Sequence, residues 1–178
     1  AGALSANTTG GYNTAVGNGS LASNTTASNN TAVGYQAGYS NTGANNTFIG
    51  AYVGYANTSG IANAGLGGNS TGTPTFYSNT TGSYNTALGV SALASNTTAS
   101  NNTAVGYQAG YTNTDATNLT AIGYQSLYSS TTGSGGSTAV GRYAGRSNTG
   151  GYVQAFGESA LYSNTTGNFN TAVGGSAL

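Results

Sequence analysis

The sequence predicts an all-β chain, a parallel β-roll or β-solenoid of about ten 17-residue coils. Three observations predict it. Thr-Ala-Val-Gly, or a near copy, returns ten times, with closing glycines at 17, 34, 50, 67, 89, 106, 123, 141, 157 and 174. The spacings are 16 to 18 residues, with a single 22, and a period that steady makes each repeat one turn of a stacked object. The residue before each of these glycines is large and apolar: Val16, Val33, Ile49, Leu66, Leu88, Val105, Ile122, Val140, Phe156 and Val173. A disordered low-complexity chain rich in Gly, Asn, Ser and Thr has no reason to keep such a column. Third, no 3.6-residue apolar period runs through the chain, so helices are not predicted.

Within each repeat the first element is a short strand. Thr14, Thr31, Thr47, Thr86, Thr103, Thr120, Thr138 and Thr171 stand three residues before the glycine, in a column broken by Ala64 and Gln154. The column between is small, as in Ala15, Ala32 and Ala87, except at Phe48 and Gly65. Strand side chains alternate faces, so Thr and Val share one side and Ala takes the other. The second half of each repeat carries pairs such as Ser20-Leu21, Ala37-Gly38, Ala92-Leu93 and Ala144-Gly145, then a polar cluster. It predicts a second short strand per coil, two polar turns, and hence two parallel sheets. Ten coils at about 4.8 Å each make a rod of roughly 45 to 50 Å.

Three sets of residues test this register. Asn13, Asn30, Asn46, Asn63, Asn85, Asn102 and Asn170 stand just before the strand and predict an amide ladder, each side chain bonding to the next. Arg142 and Glu158 each follow a periodic glycine and predict an ion pair between adjacent coils. Arg146 falls in the column of Tyr39, Tyr55, Tyr111, Tyr128 and Tyr162, which places its guanidinium over the rings of Tyr128 and Tyr162. The spacing of 22 reflects an insertion near 68–76 that holds the only proline; a loop leaving the stack would make Pro74 and Phe76 candidates for a binding surface, beside Tyr111 and Tyr128.

Composition excludes several functions. Charged residues are 2% of the chain, too few to neutralise phosphates, so no nucleic-acid partner is expected. His, Cys and Lys are absent, which removes the usual nucleophile and base pairs, disulfides and metal sites. Asp115 and Glu158 lie three coils apart, roughly 14 Å along the axis, too far for paired-carboxylate chemistry. Catalytic residues, cofactors and metals are therefore all expected to be absent. No stretch is apolar enough to insert in a membrane as a helix. Sequons at Asn7, Asn24, Asn79, Asn96 and Asn164 follow from composition. The chain is a single repeat array over 1–178, and beginning and ending inside half repeats it reads as a piece of something longer. Ordering a coil costs on the order of 1 to 2 kcal/mol per residue, while each buried medium side chain returns about 1.5 to 3 kcal/mol. A thin rod therefore gains by bundling with copies of itself.

The motif Asn29-Asn30-Thr31-Ala32-Val33-Gly34, with Ala37 three residues on, resembles the repeat of trimeric autotransporter adhesin heads. The longer strings Asn102 to Tyr111 and Ala160 to Gly174 resemble repeats of phage tail-fibre-like and marine bacterial surface proteins. The resemblance implies a left-handed parallel β-roll that forms a homotrimer, with the Thr and Val columns inside each coil and Ala on the other face. The longer period and the Thr in place of Val depart from the adhesin pattern, and no part of these 178 residues reads as a coiled-coil stalk, membrane anchor or chaperone domain.

Three functions follow as expectations. The first is a structural fibre or shaft segment, extracellular, at a cell surface or on a virion, acting as a rigid spacer with itself as partner. Duplication supports a spacer, because Asn13 to Tyr39 and Asn85 to Tyr111 are nearly the same string. The second is an ice-binding solenoid, disfavoured by the expectation that strand threonines point inward. The third is a carbohydrate-binding module that takes a cell-surface glycan on the tyrosine columns.

Overall fold

The computed structural model describes residues 2–68, 72–131, 133 and 135–178. Its ten strands are β1 (Thr14–Val16), β2 (Thr31–Val33), β3 (Thr47–Ile49), β4 (Ala64–Leu66), β5 (Thr86–Leu88), β6 (Thr103–Val105), β7 (Thr120–Ile122), β8 (Thr138–Val140), β9 (Val153–Phe156) and β10 (Asn170–Val173). They stack in chain order as one parallel sheet, and the chain winds through about nine turns of a β-solenoid. Each residue pairs with its counterpart one coil on, so Thr14 faces Thr31 and Thr120 faces Thr138. The long repeat does not disturb this, because Ala64 still pairs with Thr86 and Leu66 with Leu88. Variation in repeat length is absorbed outside the strands.

The glycine that closes each strand turns the chain out of the sheet. At Gly123 φ is +129°, and a Cβ there would fall 2.5 Å from the Gly141 carbonyl oxygen of the next coil, so only hydrogen fits.

Among the described residues the second strand of each coil is not formed, and the expected second sheet is absent with it. The segment after the glycine places left-handed residues two positions apart, as at Gln125 (φ 51°) and Leu127 (φ 46°), and this breaks the extended path. Coil-to-coil bonding persists without a strand: Leu127 N donates to Ala144 O at 3.0 Å and Ser129 N to Arg146 O at 3.0 Å. The wall opposite the sheet is thus a stack of identical turns.

Face assignment is reversed from the expectation. Ala32, Ala87 and Ala139 are fully buried, whereas Val16 is 57% exposed and Leu66 45%, with the strand threonines beside them at the surface. The lumen is too narrow for Thr and Val, because the strand alanines meet Leu and Ala from the opposite wall. An added Cβ at Gly110 would lie 3.0 Å from Leu93 Cδ2 and 3.9 Å from Ala104 Cβ. Along that wall leucine and glycine tend to alternate, Leu93, Gly110, Leu127, Gly145 and Leu161, with Leu93 and Leu127 each filling the space beside the glycine of the next coil. Where two glycine coils adjoin, at Gly38 and Gly54, Phe48 replaces the strand alanine and fills both vacancies. A Cβ at either glycine would meet its ring, at 2.8 and 2.6 Å. Gly65, its partner in β4, has no side chain to compete.

Candidate functional site

Asparagine builds two axial ladders along the lumen. In the predicted column the bonding is chiefly amide to backbone, as where Asn13 Oδ1 accepts from Asn30 N at 2.9 Å, Asn30 Oδ1 from Asn46 N at 2.9 Å and Asn85 Oδ1 from Asn102 N at 3.0 Å, while Asn85 Nδ2 also donates to Asn63 Oδ1 at 3.2 Å. Asn102 Oδ1 accepts from Leu119 N at 2.8 Å, and the column stops there because Leu119 offers no side-chain acceptor. Asn170 is outside it, exposed in β10 above Val153, with Nδ2 donating to Asn164 Oδ1 at 3.1 Å.

The side-chain-to-side-chain ladder runs through a column not singled out from the sequence. Asn57 Nδ2 donates to Asn41 Oδ1 at 2.6 Å, Asn79 to Asn57 at 2.6 Å, Asn96 to Asn79 at 2.7 Å and Asn113 to Asn96 at 2.9 Å. Its signal was the Asn seven residues after most periodic glycines. The sequon asparagines Asn24, Asn79 and Asn96 belong to it and are fully buried, closed to a glycan in the folded chain. A threonine ladder flanks it, with Thr58 Oγ1 donating to Thr80 O at 2.9 Å and Thr97 Oγ1 to Thr114 O at 3.0 Å.

The charged residues lie where the register puts them. Arg142 donates to Glu158 Oε1 through Nη2 at 2.5 Å and Nε at 3.1 Å, both side chains more than half exposed. That hydrogen bond, and then the Glu158 charge, hold the Arg142 guanidinium above its ordinary pKa. Arg146 lies 5.1 Å from the Tyr128 ring centre, 5.7 Å from Tyr162 and 5.8 Å from Tyr143, and its Nε donates to Gln125 Oε1 at 2.9 Å.

Tyrosines of adjacent coils stack along one corner. Tyr39, Tyr55 and Tyr77 stack with 5.3 Å between successive centres, and Tyr111 stacks on Tyr128 at 5.1 Å with planes 4° apart. Tyr128 is covered on one face by Tyr111 and on the other by Arg146, so it turns its edge to solvent and has no face left for a sugar. Crowding strips water from the Tyr124 phenol and, with Tyr143 and Tyr107 adjacent, holds its pKa above the ordinary 10.0.

The insertion does not present Pro74 and Phe76 to solvent. Both are buried, Phe76 taking the leucine position of its coil, 6.3 Å from the Phe48 ring. Residues 69–71 of the predicted loop lie outside the described residues. The remainder folds back along the rod: Thr73 O accepts from Ser91 Oγ at 2.5 Å, and Thr73 Oγ1 is 3.1 Å from Tyr111 Oη. It occupies the gap where the tyrosine columns lapse to Val90, Ser91 and Ala94.

Among the described residues no cluster of three potential metal ligands occurs, and no helix is long and apolar enough to cross a membrane. An open hollow of about 280 Å³ lies at the last coil, lined by Leu161, Ser163, Asn164, Asn170, Thr171 and Leu178. No protein-family model, curated protein or solved structure matches the chain.

Proposed function

We propose that this chain is a shaft segment of an extracellular or virion appendage, a tail fibre or adhesin, that supplies reach and stiffness rather than catalysis. The observation that carries the reading is that axial columns of backbone, asparagine and threonine bonds run coil to coil along the rod. Bending the rod would stretch bonds on one side in several columns at once. The sequence offers no histidine, cysteine or lysine to do chemistry. Assembly with copies of itself, as a homotrimer or higher bundle, belongs to the same proposal. The exposed edges of Tyr35, Tyr107, Tyr124 and Tyr162 give the tyrosine corner the amphipathic surface that interfaces favour.

Small-angle scattering on the chain and on a version with one more two-coil block tests the spacer role. The block should lengthen the particle by about 9 to 10 Å, two strand spacings, at constant cross-section. A particle that thickens instead of lengthening would refute it.

A further inference from the structure

The chain holds two populations of threonine. Those at the turn corner, such as Thr42, Thr58, Thr80, Thr97 and Thr149, spend their hydroxyls on a carbonyl of the next coil. The strand threonines Thr14, Thr31, Thr47, Thr86, Thr103, Thr120, Thr138 and Thr171 point outward and make no side-chain hydrogen bond among the described residues. We propose that this sheet face binds the surface of an ice crystal, its outward Thr and Val columns holding an ordered layer of water.

Four features of the face carry the inference. In-register pairing fixes each hydroxyl about 4.8 Å from the next along the axis, and the apolar residue two positions on lies about 6.7 Å across. The result is a two-dimensional lattice rather than scattered polar groups. Threonine is branched at Cβ and stiff at χ1, so hydroxyl and methyl positions are set before any ligand arrives. The apolar column is open to water, with Leu88 39%, Ile122 37% and Val140 36% exposed, and supplies the groove over which water cages order. None of the four ionisable residues lies in the strands, so no ion with its own hydration shell disrupts the layer.

The occupant follows from the hydroxyls. Each can donate one hydrogen bond and accept two, and a protein surface laid over the column would have to meet that demand at every rise. Each one left unmet costs about 1–3 kcal/mol. A lattice of water meets it at every position. The longest unbroken run, Thr86, Thr103, Thr120 and Thr138 beside Leu88, Val105, Ile122 and Val140, is the centre of the site. The inference is independent of the shaft reading, which places other copies against the tyrosine corner.

The test measures thermal hysteresis and ice-crystal shape for the full chain, the double variant Thr103→Lys/Thr120→Lys, and the corner variant Tyr124→Ala, with light scattering and circular dichroism on each. Both lysines fall on outward-facing, half-buried strand positions, and the fold signal should not change. The expected result is faceted ice and measurable hysteresis for the chain and for Tyr124→Ala, lost in the lysine variant. Round crystals and no hysteresis from a well-folded chain overturn the inference. If that failure comes with a particle mass that drops to a single copy in the lysine variant but not in Tyr124→Ala, the face belongs to self-association, and the shaft reading stands without this one. Hysteresis that survives the lysines also overturns it.

Discussion

Replacing Phe48 by alanine brings its column closer to the commonest residue there, so a comparison of repeats predicts no harm or a gain. The packing predicts the reverse. Phe48 is fully buried, and its ring fills the space left by glycines at 38, 54 and 65. Removing it opens a void that neighbours without side chains cannot collapse to fill, so the cost should lie at the usual Phe→Ala value of about 3–5 kcal/mol. For a chain of this size that is a fall in melting temperature of roughly 6–20 °C. Thermal and guanidinium unfolding followed by circular dichroism read it directly. A single variant as stable as the parent would refute close packing of the lumen.

Other expectations follow from the same geometry. Asn79→Ala removes the acceptor of Asn96 Nδ2 and the donor to Asn57 Oδ1, and should cost about 1–3 kcal/mol by chemical denaturation. Gly123→Ala meets the Gly141 carbonyl at a left-handed φ and should cost more than about 1 kcal/mol, with hydrogen exchange rising first at the turns after β7 and β8. The raised pKa values of Tyr52 and Tyr124 mean the folded chain holds these phenolic protons more tightly than the unfolded one. Their contribution is complete below pH 10.0 and is lost as pH rises through the folded-state pKa; melts across the alkaline range should fall in that window, less steeply in Tyr124→Phe. Arg142→Ala should leave the melting temperature almost unchanged, since the pair it breaks is exposed.

Register was legible in the sequence because it depends only on period. Equal offsets from the glycine put Arg142 beside Glu158 and Arg146 between Tyr128 and Tyr162, and no knowledge of the coil's cross-section was needed. Which face points inward depends on that cross-section. Alternation separates Thr and Val from Ala, but a lumen just wide enough for alanine against leucine is a property of the closed coil, which no single repeat displays. The second strand failed for a related reason. Ala-Leu and Ala-Gly pairs look strand-like, yet Leu127 adopts a left-handed φ that leucine rarely takes, imposed by the stack above and below. Pro74 and Phe76 misled because a local insertion was read as protruding, whereas Phe76 packs inward at the leucine position of its coil, beside Phe48.

The leucine–glycine alternation gives the rod a parity. A block of two coils can be inserted or removed with large still resting on small, whereas one coil puts the sequence out of step and leaves like against like. Gly38 beside Gly54 is such a dislocation, and Phe48 is the patch that heals it. Between Leu93 and Leu161 the rod therefore lengthens most easily by even steps, and at Gly38 and Gly54 the odd step carries an aromatic repair.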